Sequence, residues 1–360
     1  MDRRSFITKA ALGGTAAAAS TLAAPAYAQG NRTLTMVTTW PRGAAGVWHA
    51  VEYVSDLIET MSDGAITIEA KAAGELVGAF ESFDAVTSGQ ADMYHGADYY
   101  FGGQHQGYSF FSGVPFGMTA QEMMTWYYHD GGAALHDKLG EIFNLKSFLS
   151  GNTGAQSGGW FAKEINSAED FQGLKMRMPG LGGKALGELG ASVQTLPGGE
   201  VYQALSSGAI DATEWIGPWA DEVAGFSEIT KIYYTAGFHE PGVALSLAVN
   251  RDVFNELTPA HQKIIETAAA ASHQWSLSQF LSNNGAALER LISQGVQVRE
   301  FNDGVWDAFG AATVKVMDSF MDDELFAEIR NSHSASMKAT SGWISKSEGA
   351  YVAQRNRIFG

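Results

Sequence analysis

The sequence predicts an α/β protein of two lobes with a cleft between them and long C-terminal helices. Three observations predict it. Strand-like and helix-like segments alternate, one short string occurs twice, and the last third reads as nearly continuous helix. The 360 residues suffice for two ordinary domains with a well-filled apolar core.

The alternation begins at Thr33. Thr33 to Thr39 (TLTMVTT) is rich in strand formers, Ala45 to Met61 has helical apolar spacing through Val47, Val51, Val54, Leu57 and Ile58, and Ala65 to Ala70 returns to strand. Strand signals recur at Leu174–Met178, Ala191–Leu196 and Ile210–Trp215. Such alternation argues for mostly parallel sheet covered by helices.

The repeated string is A-[VL]-x-S-G-x-x-D, at Ala85–Asp92 and again at Ala204–Asp211. In each copy a short helix should end at the glycine, which tolerates the left-handed conformation, and a strand should begin about two residues later. Two lobes built alike produce such an echo. Helix–Gly–strand junctions in any α/β protein produce similar strings, and the string alone does not separate these readings.

Thr258 and Pro259 read as N-cap and first residue of a long helix toward Gly295, with Ile264, Ala268, Ala271 and Trp275 on its buried seam and a break near Asn283-Asn284-Gly285. Val305 to Ile358 is again helix-rich. The predicted division is a leader over residues 1–28, lobe I over 29–152 with a return segment near 241–257, lobe II over 153–240, and a helical region over 258–360 that spans both lobes.

The leader carries Arg3-Arg4 with Phe6 and Lys9, a modest apolar run from Ala10 to Ala24, and Ala26-Tyr27-Ala28 as a cleavage site. This resembles a twin-arginine signal; an ordinary secretory signal is the alternative, and both predict a soluble periplasmic protein. Without the leader, 20 basic and 38 acidic residues remain, a net charge of −18. That balance disfavours nucleic-acid binding, and an anionic ligand would need local cations to hold it. The absence of cysteine excludes disulfides and thiolate chemistry. The nine histidines are scattered without a metal-ligand spacing, and neither a nucleophile elbow nor a phosphate-binding loop is present.

The stretch with most chemical content is Gly173-Leu174-Lys175-Met176-Arg177-Met178-Pro179. On a strand, Lys175 and Arg177 share one face and Leu174, Met176 and Met178 the other. Arg177 offers a planar fork that matches a carboxylate. A structural arginine paired with a nearby Asp or Glu is the competing reading.

This stretch followed by Leu196-Pro197-Gly198-Gly199-Glu200-Val201-Tyr202-Gln203-Ala204-Leu205-Ser206-Ser207-Gly208-Ala209-Ile210-Asp211 resembles the paired signature of solute-binding proteins of tripartite ATP-independent periplasmic (TRAP) transporters. The similarity runs from Thr39-Trp40-Pro41 to the helical tail. It implies a two-lobed periplasmic-binding-protein-like fold, no catalysis, and delivery of the ligand to integral membrane subunits. Arg177 would hold the ligand carboxylate. Gln156, Glu214-Trp215 and the leader are similar to the branch that binds 2-oxo acids such as pyruvate, or 2-hydroxy acids such as lactate, together with a metal ion.

Carried over by that resemblance, Gln156 and Glu214 supply side-chain oxygens, Trp215 a backbone carbonyl and the region of Glu240 a further ligand. Oxygen donors suit sodium or calcium. A turn residue facing water is the other reading of Glu240. Tyr100 or Asn152 would hydrogen-bond the oxo group, and two or three of Trp40, Tyr99, Tyr100, Trp160, Trp215 and Trp219 would touch ligand. The branch includes homodimers that exchange a C-terminal helix. An exported enzyme acting on a 2-oxo acid, or a sensor presenting its ligand to a membrane receptor, would share these features.

Overall fold

The computed structural model describes residues 31–360, and the leader expected over residues 1–28 lies outside them. The strands in chain order are β1 (Arg32–Thr38), β2 (Ile66–Lys71), β3 (Met93–Gly96), β4 (Leu145–Asn152), β5 (Ser157–Phe161), β6 (Lys175–Arg177), β7 (Ser192–Gln194), β8 (Ala212–Thr213), β9 (Ile232–Ala236), β10 (Ala244–Asn250) and β11 (Gln297–Arg299). They form two sheets, ordered β2-β1-β3-β10-β4 and β11-β9-β5-β8-β6-β7.

Both sheets are mixed rather than mostly parallel. β1 lies parallel to β2 and β3, while β10 runs antiparallel to β3 and β4. In the second sheet β6 is parallel to β7 and β8, and β5 is antiparallel to β8 and β9. The departure has a topological cause: β10 returns from the second sheet and so enters the first in the opposite direction.

The repeated string occupies the same place in each sheet. Its first three residues end helix Ser82–Thr87 in one copy and helix Gly198–Ser206 in the other, and Gly89 and Gly208 take left-handed φ values of 77° and 73°. Asp92 N donates to Thr35 O at 3.0 Å while its carboxylate accepts from Thr35 N at 2.7 Å. Asp211 does the same to Lys175, at 2.7 and 3.0 Å. Each aspartate thus clamps both backbone groups of one residue on the neighbouring parallel strand, a duplication that goes beyond a shared helix–Gly–strand turn.

Three chain segments connect the sheets: the long helix that leads from β10 to β11, and two short ones, after β4 and before β10, that lie side by side. Thr153 N donates to Val243 O at 2.9 Å, Gln156 N to Glu240 O at 3.0 Å and Gly237 N to Gln156 O at 3.0 Å. Helix Pro259–Ser293 then runs 35 residues without interruption, about 50 Å at the usual rise. Thr258 Oγ1 caps its N-terminus by accepting from His261 N at 3.2 Å.

The expected break at Asn283-Asn284-Gly285 does not occur. Asn284 Oδ1 instead accepts from Trp219 N at 3.1 Å, and Arg290 pairs with Glu222 at 2.6 Å, which ties the helix to the second sheet's helices. Its first half packs on β4 and on helix Val47–Met61. The buried seam comprises Ile265, Ala268, Ala269, Ser272, His273, Ser276 and Phe280, so Ala271 is exposed and Ile264 half-buried, contrary to expectation. Small residues, Ala268, Ala269, Ser272 and Ser276, make up most of this seam, where the helix packs on β4. Trp275 stacks on Tyr53 at a ring separation of 4.3 Å. Helices Asp303–Asp318, Glu324–Ile344 and Ala350–Phe359 follow, the last exposed throughout.

Candidate ligand and cation site

Arg177 is the last residue of β6, paired in register with Gln194 of β7 and Thr213 of β8. That register places Glu214 and Trp215 immediately beyond β8, beside the guanidinium. The predicted face separation holds in that Met176 and Met178 are buried in the core, but Lys175 reaches outward to Gly208 O at 2.9 Å while Arg177 is enclosed.

The guanidinium is only 1% exposed and every arm is engaged. Nε donates to Leu196 O at 3.1 Å, Nη1 to the Glu214 carboxylate, and Nη2 to the Tyr100 hydroxyl at 3.3 Å. Its carbon lies 5.5 Å from the centre of the Trp215 ring. Tyr100 belongs to the short turn Asp98–Phe101 of the first sheet's side, so this contact crosses from one sheet's territory to the other. An enclosed arginine requires a counter-charge, which Glu214 supplies.

Around this pair lies a set of buried polar atoms that make no hydrogen bond among the described residues: Gln156 Oε1, Glu214 Oε2, Glu240 Oε2 and both His239 ring nitrogens; Asn152 Nδ2, at the end of β4, is likewise without a partner. Buried polar atoms are nearly always paired, so such a cluster marks a place built for something else. Ligating atoms of Glu214, His239 and Glu240 all lie within 4.8 Å of one another. His239 Nε2 is 3.5 Å from Glu214 Oε2. Glu240 is 3% exposed, which excludes the reading as a water-facing turn residue. Burial, then the nearby Glu214 charge, pushes its carboxyl well above the usual carboxylate range against the pull of Arg177 and the Tyr99 hydroxyl.

Glu214 already neutralises the guanidinium, so Glu240 has no counter-charge of its own, and the free oxygens of Gln156, Glu214 and Glu240 are hard donors. This donor set fits sodium or calcium. Gln156 and Glu240 sit on the two connecting segments, opposite each other, whereas Glu214 and Trp215 belong to the second sheet. Asn152 stands apart in its bonds: Oδ1 accepts from Gly154 N at 2.7 Å, and its backbone contacts Ser276 Oγ.

His239 was missed by sequence reasoning because no local spacing announces it. The fold brings it to Glu214, and only its adjacency to Glu240 could have drawn notice. Tyr99, one of the aromatics singled out in the sequence, has its hydroxyl against Glu240.

Residues 37–324 match the family described as bacterial extracellular solute-binding protein, family 7. The chain belongs to this family. The family 7 chain is 38% identical over 317 residues to a monocarboxylate 2-oxoacid-binding periplasmic protein of Nostoc sp., covering 88% of this chain and 87% of that one. Its fold matches a TRAP periplasmic solute-binding protein of Pseudoalteromonas atlantica T6c, solved with sodium and pyruvate, at TM-score 0.87 and 36% identity, covering 90% of this chain and 99% of that one. It also matches a TRAP transporter solute-binding protein of Bordetella bronchiseptica RB50 at TM-score 0.89 and 30% identity, covering 91% and 98%. That structure is a mixed-occupancy dimer with copurified calcium and picolinate in one site. The two-lobed α/β architecture is therefore that of the family.

Of the six aromatics singled out in the family 7 chain, Tyr99, Tyr100 and Trp215 adjoin the Arg177 group. Trp40 lies one shell away, donating from Nε1 to His95 Nδ1 at 2.9 Å, with its ring 6.3 Å from that of Tyr100. Trp160 is no cleft residue: it is fully buried in the second sheet's core and donates to Asp221 at 3.0 Å. Trp219 packs between His49 and Phe280 against the long helix. Large rings more often fill core than line a cleft, and Trp160 inside β5 and Trp219 on the short helix Pro218–Ala224 do so. Among the described residues no helix is long and apolar enough to cross a membrane.

Proposed function

We propose that the chain is a periplasmic receptor that captures a small 2-oxo monocarboxylate such as pyruvate, or the related 2-hydroxy acid lactate, together with sodium or calcium, and delivers it to the integral membrane subunits of a TRAP transporter. The observation that carries this reading is the enclosed Arg177 fork beside three buried oxygens without partners. The sodium–pyruvate and calcium–picolinate complexes of similar proteins support it.

Arg177 receives the acid's carboxylate and Tyr100 closes over it from the first lobe. Glu214 now pairs with Arg177 in the manner a ligand carboxylate would. Turning the Glu214 side chain toward Gln156 and Glu240 frees the guanidinium for the acid. Gln156, Glu214, Glu240 and the Trp215 carbonyl hold the cation, which supplies the positive charge that two protein carboxyls and an acid require. Asn152 Nδ2 is an available donor for the oxo group. No covalent step is needed: contacts from both lobes exist together only in the closed form, so binding shifts the population toward it.

The lobes in this reading are 29–152 with the return near 241–257, and 153–240, hinged at the paired connecting segments and braced by the helices of 258–360. Residues 1–28 direct twin-arginine export. The C-terminal end, with Trp343 of helix Glu324–Ile344 73% and Phe359 of the terminal helix 86% exposed, is the segment exchanged in a homodimer.

A thermal-shift screen of short 2-oxo and 2-hydroxy acids, with and without calcium and sodium, tests the function. An acid at a hundredfold its Kd stabilises by about 2.7 kcal/mol. A midpoint unmoved by every acid in the presence of either cation would remove the reading.

A further inference from the structure

The segment Glu214–Gly217 carries two of the residues assigned to the cation, yet it has no regular structure to fix it. Glu214 N donates to Arg177 O at 3.4 Å and Ser157 N to Ile216 O at 3.1 Å, while one buried side chain holds the N–H groups of Ile216 and Gly217. Asp221, fully enclosed on the short helix Pro218–Ala224, accepts through Oδ1 from Ile216 N and Gly217 N, both at 3.1 Å. Its Oδ2 accepts from Trp160 Nε1 at 3.0 Å, and Tyr233, whose hydroxyl also bonds Ser157, adds a further donor.

The Ile216 N–H and the Trp215 carbonyl belong to one peptide unit. No cis peptide occurs among the described residues, and in a planar trans peptide these groups point in opposite directions. Anchoring the N–H on Asp221 therefore turns the Trp215 oxygen away from Asp221. That oxygen accepts no hydrogen bond among the described residues, although the Trp215 residue is buried. A carboxylate at the N–H end of an amide also pushes electron density onto its oxygen, as outer partners do for metal ligands generally.

We infer that Asp221 is a positioning residue for the cation: it holds the Trp215–Ile216 peptide so that the Trp215 carbonyl faces the site, and it strengthens that oxygen as a donor. The inference rests on the proposed cation-dependent function and adds the residue that sets cation affinity from outside the ligand shell. A purely structural role would lower stability without separating the cation from the acid.

The test is a pyruvate titration at a series of calcium concentrations. In Asp221→Asn the calcium concentration for half-maximal binding should rise roughly 10–100-fold, while the pyruvate Kd at saturating calcium stays within about threefold. Since the Asn amide faces the Trp160 N–H donor, the double variant Asp221→Asn with Trp160→Phe relieves that clash should the single variant not fold. An unchanged calcium requirement, or a parallel change in both quantities, overturns the inference. Wild-type protein whose pyruvate binding ignores the cation overturns the underlying function as well, so the two failures are distinguishable.

A second measurement needs no variant. With carbonyl-13C tryptophan and 15N isoleucine, only Trp215–Ile216 and Trp343–Ile344 give a paired signal, because the chain contains no other Trp-Ile step. Calcium added in the presence of pyruvate should move the Ile216 signal and leave Ile344 as internal reference. A stationary Ile216 signal, with pyruvate binding still calcium-dependent, overturns the inference.

Discussion

Asp92 and Asp211 perform one task in two sheets, yet the strands they clamp lead to different ends. Asp92 fixes β1, which runs on to Thr38 and the buried Trp40; Asp211 fixes β6, which ends at Arg177. The frame is duplicated and the site is not. The second sheet contributes the charged groups Arg177 and Glu214, the first contributes the rings and hydroxyls of Tyr99 and Tyr100, and the connecting segments contribute Gln156 and Glu240. A repeated scaffold thus leaves its strand ends free to diverge, which is where function resides in such sheets.

The lobes should differ most in their response to acid. His95, His273 and His333, all packed on the first sheet's side, are held down at about 4 by burial. Their stabilisation is present above the unfolded value near 6.5 and is lost as pH falls toward 4, at most about 3 kcal/mol each. Asp221, in the second lobe, is pushed up by burial to about 7. Its contribution has the opposite sign, present below the unfolded value near 4 and lost as pH rises through 7. Between pH 6.5 and 4.5 the three imidazoles oppose Asp221 and Glu240, both pushed up by burial, so the first sheet's side loses stability where the second lobe and the connecting segments gain it. Hydrogen-exchange protection should fail first around β3, β4 and helix Glu324–Ile344; protection lost first around β5 and β8 would break the contrast.

A smaller effect addresses the charged side of the site. Arg177→Lys keeps the charge but loses the fork, and should weaken acid binding by about 1.5–3 kcal/mol, read by calorimetry at saturating cation. Unchanged affinity would take Arg177 out of the site. Smaller again is Tyr100→Phe, which removes the hydroxyl given by the first lobe to the guanidinium. About 1 kcal/mol of acid affinity should go, with little change in melting midpoint because the ring packing on Phe80 and Tyr99 remains.

The frame was readable because its signals are local: the alternation, the glycines at helix ends and the N-cap Thr258 each act within a few residues. The interior of the long helix was read one face off because Ala271 and Ala268 are alike to a periodicity argument, and only the approach of β4 distinguishes them. The site was less readable for the same reason in reverse. Arg177 and Glu214 stood out through a signature, but their adjacency depends on the parallel register of β6 and β8. Asp221 carries no local signal and His239 only its adjacency to Glu240, since burial and topology give them their partners. Which of the six aromatics adjoin the site was not legible, because residue type does not say whether a ring fills core, as Trp160 and Trp219 do, or borders a cleft.

The claim on which the account rests is that an acid and a cation are held together by Arg177 and the buried oxygens of Gln156, Glu214 and Glu240. Calorimetric titration of pyruvate into the mature chain, with calcium or sodium present and again after chelation and exchange into a buffer lacking both, tests it most directly. Saturable binding that disappears with the cations is the predicted result. Equal affinity under both conditions would contradict it.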